Sequence, residues 1–225
     1  MGDAAGHVTL SPATCYEQAA MAWYDVFSRI YDASLEALYR EARTRAVEAL
    51  RAEPGSFVLD LPCGTGQSFD LLCAAVGERG RVVGVDLSPG MLREAERRIA
   101  RSGFDRVSVL ARDAAELTVS DLGAAPDRVH VFLGMTVFPD PDAVFDRVWS
   151  LLAPGGRCVL VDVHAASPGL QGKLVEWLAR ADLRRRFWEP LERRGVAFER
   201  HDLPFDRRHG GQIMMAAADK AREPA

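Results

Sequence analysis

The chain has 225 residues and is 48% hydrophobic, enough to bury one core but too short for two large domains. Its net charge of −4 argues against a nucleic-acid-binding protein. No apolar run reaches the length of a membrane-spanning helix, and the first residues lack the basic and apolar regions of a signal peptide. We therefore expect a cytoplasmic protein that does not insert stably into a membrane. The four cysteines lack metal-ligand spacing, so no metal site is predicted.

A helical cap is predicted near the N-terminal end, within residues 1–53. From Tyr24 to Leu38, apolar side chains recur with a period of about 3.6 residues, which indicates one face of a helix. Tyr24 and Tyr31 are one heptad apart on this face, and each needs a polar partner for its hydroxyl group. We expect the helix to pack on the core and the two tyrosines to lie at the mouth of the site. Pro54-Gly55 ends the helix, and residues 54–220 are predicted to form the main α/β domain.

An apolar run ending at Asp60 is followed by a loop with two glycines, Gly64 and Gly66, and then by a helical pattern. Such a strand–loop–helix corner binds polar or anionic groups, because backbone N–H groups and the positive end of the helix point outward. Glycine permits the sharp bend and the close approach of a ligand. The next strand, residues 81–85, ends at Asp86, whose carboxylate can accept hydrogen bonds from both hydroxyl groups of a ribose. These features predict a site for an adenosine-containing cofactor.

Two common nucleotide sites do not match this loop. The dinucleotide fingerprint requires a third glycine or alanine where the helix packs on the strand, and Phe69 stands there instead. No lysine follows the glycines, so a phosphate-binding P-loop is also disfavoured. A nucleotide-dependent oxidoreductase is therefore the weaker interpretation.

The stretch Asp60-Leu61-Pro62-Cys63-Gly64-Thr65-Gly66 resembles the first motif of class I S-adenosylmethionine-dependent methyltransferases, with Pro62 in place of the first glycine. The segments Pro139-Asp140-Pro141 and Leu152-Ala153-Pro154-Gly155-Gly156-Arg157 resemble later parts of the same family. The Tyr-Asp pairs at Tyr24 and Tyr31 are similar to those of the helical cap in its quinone and phospholipid group. Alternating strands and helices predict a doubly wound, mostly parallel sheet. The resemblance implies seven strands and S-adenosylmethionine as the cofactor.

In such a sheet, ligands bind beyond the carboxyl ends of the strands, where the strand order reverses. Asp60, Asp86 and Asp113 stand at such ends, as does the loop that begins at Gly134. The resemblance implies that the cofactor-binding residues are Asp60, Pro62, Gly64, Gly66, Gln67, Asp86, Leu87, Met91, Asp113, Ala114, Leu133 and Gly134. The position of Asp113 equally suits a helix N-cap, and one aspartate can serve both purposes.

The implied reaction is transfer of the sulfonium methyl group to a small organic or amphiphilic acceptor by in-line displacement. Catalysis is expected to be mainly positional, since the methyl group is already activated and no acid–base motif is visible. His164, at the carboxyl end of a predicted strand, is the first candidate for a general base. Tyr24 and Tyr31 are further catalytic candidates, whereas His130, in the middle of a strand, is interpreted as structural.

Two other functions stay open. Residues 180–210 contain nine arginines and six acidic residues, which suits a solvated helix face or a surface for an anionic acceptor or membrane. A lipid-directed transferase, acting by methyl or aminocarboxypropyl transfer on the same fold, is the main alternative. A subunit that binds the cofactor without catalysis is the second.

Overall fold

The computed structural model describes residues 39–204 and 211–222. Strands and helices alternate along the chain, as the sequence predicts. The strands are β1 (Phe57–Leu61), β2 (Arg81–Asp86), β3 (Val107–Ala111), β4 (Arg128–Phe132), β5 (Arg157–His164), β6 (Val196–Asp202) and β7 (Gln212–Asp219). The helices are α1 (residues 39–49), α2 (Phe69–Val76), α3 (Pro89–Ser102), α4 (Val119–Leu122), α5 (Pro141–Leu151), α6 (Leu170–Ala179) and α7 (Glu189–Arg194), with a 3-10 turn at Ala114–Glu116.

The strands form one sheet in the order β3-β2-β1-β4-β5-β7-β6. Strands β1 to β5 run parallel to one another, β7 is antiparallel to β5, and β6 is antiparallel to β7. The predicted doubly wound, mostly parallel sheet of seven strands is therefore confirmed. The strand order reverses between β1 and β4. The carboxyl ends of these two strands thus border the crevice where ligands bind in sheets of this class.

Helices cover both faces of the sheet, which explains why its central strands are apolar. All five residues of β1 are buried, as expected for a parallel strand between two helical layers. Leu59 and Leu61 pack in the layer of α5 and α7, whereas Val58 packs in the layer of α1, α2 and α3. Because side chains alternate along a strand, Asp60 faces the same layer as Val58.

Helix α1 packs against the sheet through Ala42 and Ala46, and Leu50, directly after the helix, is buried in the same layer. Helix α1 is the described part of the expected N-terminal cap. Tyr24 and Tyr31 lie outside the described residues, and the division of the chain at residue 53 stays a prediction. Among the described helices, none has both the length and the hydropathy needed to cross a bilayer.

Capping residues start the helices that follow β2 and β4. Ser88 accepts a hydrogen bond from the Met91 N–H, and Pro89 occupies the first turn of α3. Asp140 caps α5 in the same way and is followed by Pro141. These caps determine where the chain turns away from the edge of the sheet that borders the crevice.

The opposite edge of the sheet is held together by Arg157, at the start of β5. Its guanidinium donates to the Asp219 carboxylate on β7 at 2.7 Å and also to Glu199 on β6. Its Nε donates to the Ala49 carbonyl at the end of α1, at 2.6 Å. A buried charged group is tolerated when its donors are paired in this way. Arg157 therefore joins α1 to the last three strands of the sheet, away from the crevice.

Replacing Arg157 by alanine is expected to lower the free energy of unfolding by about 2–3 kcal/mol, because two carboxylates and a carbonyl lose a charged donor. The side chains of Glu199 and Asp219 are 31% and 33% exposed, so water compensates part of the loss. Urea denaturation measures the change. In the control Arg45→Ala, loss of the exposed pair with Glu41 should cost less than about 0.5 kcal/mol. Equal losses in the two variants would contradict this account.

Candidate functional site

The glycine loop between β1 and α2 adopts the left-handed backbone that glycine permits. Gly64 has a φ of +54° and Gly66 a φ of +77°. A Cβ atom added at Gly66 would collide with the ring of Phe69, which is fully buried beneath the loop. A Cβ atom added at Gly64 would meet no atom within 4 Å. Gly66 is therefore required by internal packing, whereas Gly64 faces the open crevice.

Asp86, the last residue of β2, holds the glycine loop. Its carboxylate accepts hydrogen bonds from the backbone N–H groups of Gly64 and Ser88, each at 2.9 Å. Burial raises the pKa of Asp86, the two N–H donors oppose this effect, and the nearby Asp60 carboxylate adds to it. Each carboxylate oxygen keeps the capacity to accept from a further donor, such as a ribose hydroxyl group.

Asp60 lies on β1 directly beside His130 of β4. Its Oδ1 is 2.7 Å from Nδ1 of His130, and both side chains are almost fully buried. The second oxygen of Asp60, Oδ2, is buried without a hydrogen-bond partner among the described residues. Burial raises the pKa of the Cys63 thiol, and the carboxylates of Asp86 and then Asp60 add to this effect. The crevice therefore contains two carboxylates close to the glycine loop.

Gln67 is held by an arginine that the sequence analysis did not single out. Arg43 of α1 is 6% exposed, and its guanidinium donates to Oε1 of Gln67 at 2.6 Å. The same group lies over the ring of Phe132, 4.8 Å from the centroid. The signal in the sequence is a charged residue on the buried face of a helix. This face contains Tyr39, Arg43, Ala46 and Leu50.

The end of β4 packs on the first motif. The chain turns at Leu133, which has a φ of +57°. Gly134 then lies against Pro62, and a Cβ atom added at Gly134 would collide with the proline ring. Pro62, whose peptide bond with Leu61 is cis, therefore contacts the loop that follows β4. The motif and this loop form one packed unit where the strand order reverses.

Four more predicted residues lie after β2 and β3. The side chain of Leu87 is 59% exposed, next to Asp86, and Met91 is half-buried in α3. Asp113 accepts a hydrogen bond from the Ala115 N–H at 2.9 Å, so its interpretation as a helix cap is confirmed. Ala114 is buried beside it. A contact of Asp113 with adenine stays a prediction.

Asp162 of β5 anchors the loop after β4. Its fully buried carboxylate accepts hydrogen bonds from the Thr136 hydroxyl at 2.8 Å, the Thr136 N–H at 3.0 Å and the Val163 N–H at 2.8 Å. Burial raises the pKa of Asp162 to about 6, against the opposing effect of these donors. The position of this loop beside the crevice therefore depends on a carboxylate inside the core.

His164 lies at the carboxyl end of β5. Its ring meets the ring of Trp188 edge-on, with centroids 4.9 Å apart, and its Nδ1 is buried without a hydrogen-bond partner in the described part of the chain. It borders a cavity of about 720 Å³ that is also lined by Ser167, Gln171, Asp202, Gln212 and Met214. None of the predicted cofactor-binding residues lines this cavity. His164 is therefore next to the crevice and not within it.

Comparison with known proteins identifies the family. The sequence profile of the ubiE/COQ5 methyltransferase family matches residues 15–177. The chain belongs to the ubiE/COQ5 methyltransferase family. The demethylmenaquinone methyltransferase of Desulfitobacterium hafniense is 31% identical over 157 residues, or 69% of this chain and 59% of that protein. The arsenite methyltransferase of Halobacterium salinarum is 35% identical over 120 residues, or 51% of this chain and 29% of that protein.

Solved structures confirm the fold of this family member. Phosphoethanolamine N-methyltransferase 2 of Haemonchus contortus, in complex with S-adenosyl-L-methionine, superposes with a TM-score of 0.64 at 17% identity. The match covers 80% of this chain and 53% of that one. The chain spans 59% of the length of the Desulfitobacterium relative. The activity and the acceptor of this chain are therefore argued from the residues of its own site.

Stability is expected to depend on pH through Asp162. Its folded pKa of about 6 lies above the ordinary value of 3.8, so between these values the native state binds a proton more readily than the unfolded state. The resulting stabilisation is complete below about pH 4 and is lost as the pH rises through about 6. Over this range the contribution of Asp162 to the free energy of unfolding falls by an amount on the order of 2–3 kcal/mol. Asp162→Asn removes this titration. Chemical denaturation should therefore show the variant gaining stability relative to wild type between about pH 4 and pH 7.

Asp121→Asn is the control of opposite sign. Hydrogen bonds from Thr118 lower the pKa of Asp121, so this variant should lose stability relative to wild type as the pH rises through the acidic range. Parallel pH curves for wild type and Asp162→Asn would contradict the prediction.

Proposed function

We propose that this chain binds S-adenosylmethionine and transfers its methyl group to a small organic acceptor. The observation that carries the proposal is the position of two carboxylates at the glycine loop: Asp86 accepts from the Gly64 N–H, and Asp60 lies close enough to affect Asp86 and Cys63. Negative charge in a poorly solvated crevice favours a cationic ligand and disfavours a polyphosphate. S-adenosylmethionine carries a sulfonium and an ammonium group, whereas a dinucleotide carries a pyrophosphate. The charge therefore supports a methyltransferase over the oxidoreductase alternative.

The crevice residues fit the separate parts of this cofactor. Asp86 would accept from the ribose hydroxyl groups, and Leu87 offers exposed apolar surface for adenine. The buried Oδ2 of Asp60 lacks a donor among the described residues, and an ammonium group would supply one. Arg43, already hydrogen-bonded to Gln67, would bind the carboxylate. The remaining proposed contacts are Pro62, Gly66, Met91, Asp113, Ala114, Leu133 and Gly134.

Catalysis would depend mainly on orientation. The bound cofactor would supply a methyl group that its positive sulfur already activates. The chain would have to hold this group in line with the acceptor. Such positioning can lower the activation barrier by several kcal/mol, because the reactants lose their translational and rotational freedom on binding and not in the transition state. Asp162 and Thr136 fix the loop that would border both molecules. His164, at the neighbouring strand end, stays the candidate to take a proton from an acceptor that retains one, although it borders a different cavity.

The three cysteines among the described residues favour an organic acceptor over arsenite, the acceptor in the name of one relative; Cys15 lies outside the described residues. Arsenic(III) binds thiolates, and burial raises the pKa of Cys63, Cys73 and Cys158, the last to about 12. Within residues 39–204 and 211–222, no three His, Cys, Asp or Glu side chains are grouped to hold an ion. An organic ring such as the demethylated quinone in the name of the other relative is the better match.

Phospholipid-directed transfer has less support, because the two relatives are named for a quinone and for arsenite. An amphiphilic acceptor, a cytoplasmic location and the absence of a nucleic-acid partner stay predictions. Tyr24, Tyr31 and His164 likewise stay candidates for contact with the acceptor.

Gly64→Ala is expected to block the cofactor. The added methyl group would project into the open crevice, so the affinity for S-adenosylhomocysteine in isothermal titration calorimetry should fall at least about tenfold. Gly103→Ala is the matched control, because Gly103 also has a positive φ (+66°) and open space beside it, at the far end of α3. Both substitutions should cost about 1–2 kcal/mol of stability through backbone strain. Unchanged affinity in Gly64→Ala would mean that the glycine loop does not contact the ligand.

Methyl transfer is expected to an organic ring but not to arsenite. Radiolabelled S-adenosylmethionine, incubated with a short-chain demethylmenaquinone, arsenite or phospholipid vesicles, identifies the acceptor class. With the active acceptor, His164→Ala should lower kcat by less than about a hundredfold if orientation dominates. The exposed His201 of β6 provides the control variant His201→Ala, which should have no effect. Binding without transfer to any acceptor would favour the non-catalytic alternative.

A further inference from the structure

The buried contact between Asp60 and His130 is not explained by packing alone. The two residues are direct neighbours on β1 and β4, and they are 1% and 0% exposed. An ionised carboxylate only accepts hydrogen bonds, so the 2.7 Å contact requires a proton on Nδ1 of His130. His130 therefore supplies a donor to one oxygen of the carboxylate, Oδ1.

The other ends of both side chains are buried without partners. Oδ2 of Asp60 and Nε2 of His130 have no hydrogen-bond partner among the described residues. A buried polar atom that lacks a partner costs about 1–3 kcal/mol, and more when the group is charged. A donor-rich group such as an ammonium would remove this cost at Asp60. Oδ2 of Asp60 is therefore a buried acceptor that still needs a hydrogen-bond donor.

The imidazole of His130 is held in position by its surroundings. It stacks on Phe132 with ring centroids 5.8 Å apart and an interplanar angle of 19°. Phe132 is in turn covered by the Arg43 guanidinium and by the edge of Tyr39, both from α1. A ring that is packed in this way cannot turn away from Asp60 without disturbing α1. The direction of the Asp60 carboxylate is therefore determined through His130.

We infer that His130 is a positioning residue, which fixes Asp60 so that Oδ2 is presented to the ammonium group of the cofactor. This inference rests on the proposed function, because the ammonium belongs to S-adenosylmethionine. It replaces the sequence interpretation of His130 as merely structural. Loss of the Nδ1 donor would leave a second buried oxygen of Asp60 unpaired and would let the carboxylate rotate. Binding of the amino-acid end of the ligand would then weaken, while binding of the adenosine end would not.

Two ligands distinguish the amino-acid end of the cofactor from its adenosine end. S-adenosylhomocysteine carries the amino-acid group, and 5′-methylthioadenosine lacks it. His130→Leu removes the hydrogen-bond donor but keeps a similar side-chain volume. In calorimetry, this variant should bind S-adenosylhomocysteine about 10- to 100-fold more weakly than wild type. Its affinity for 5′-methylthioadenosine should stay within about threefold of wild type. His130→Asn, whose amide N–H can replace Nδ1–H, should recover most of the loss. Asp86→Asn is the control and should weaken both ligands, since both contain the ribose.

Equal weakening of both ligands in His130→Leu would assign His130 a purely structural role and overturn the inference, as would unchanged affinity for both. If His130→Leu does not fold, His130→Gln replaces it. Its amide takes the place of Nε2 and leaves Oδ1 unpaired, so the same selective loss is expected. Wild-type protein that binds neither ligand would overturn the proposed function and this inference together. Wild-type binding with no selective loss in the variants overturns the inference alone.

Discussion

Hydrogen bonds from backbone N–H groups to carboxylates shape the edge of the sheet that borders the crevice. Asp86 accepts from the glycine loop and from the start of α3, and Asp162 accepts from the loop after β4. A carboxylate that is removed from water needs such donors, and the loop N–H groups need acceptors. Each acid thus fixes a loop that belongs to a neighbouring strand. The geometry of the crevice follows from these bonds.

Asp60 differs from these acids in the partner that holds it. Its neighbour is the side chain of His130, and one of its oxygens has no partner in the described part of the chain. Each oxygen of Asp86 already accepts one hydrogen bond from the protein and can accept another from a ligand, whereas Oδ2 of Asp60 has no donor among the described residues. Asp86 and Asp162 therefore shape the crevice, and we propose that Asp86 also binds the ribose, whereas Asp60 is the acid that we propose for the ammonium group.

The contacts at the two ends of the strands have different effects, one on stability and the other on the proposed site. At the edge away from the crevice, Arg157 joins α1 to the last three strands through paired charges. At the crevice edge, the same helix contributes Arg43, which reaches Gln67 and Phe132. Helix α1 is therefore part of the fold at one end and part of the proposed site at the other. A substitution that displaces α1 is expected to affect both stability and binding.

The features that the sequence predicted correctly are local ones. Each of these features depends on residues that are close together in the chain. They are the strand ending in Asp60, the glycines of the following loop and the acid at the end of β2. The family resemblance and the alternation of strands and helices also come from such local patterns. They were sufficient for the order of the sheet's elements along the chain and for the family, both of which are confirmed, whereas the cofactor contacts of the glycine loop stay a prediction.

Contacts between residues far apart in the chain were decided by the tertiary structure. Asp60 and His130 are 70 positions apart, Thr136 and Asp162 are 26 apart, and Arg43 and Gln67 are 24 apart. These pairs form only because β4 lies between β1 and β5 and because α1 docks on this part of the sheet. Strand order and helix docking result from the packing of the whole core, which no single segment encodes. For the same reason the sequence placed His164 at the correct edge but could not show that it borders a separate cavity.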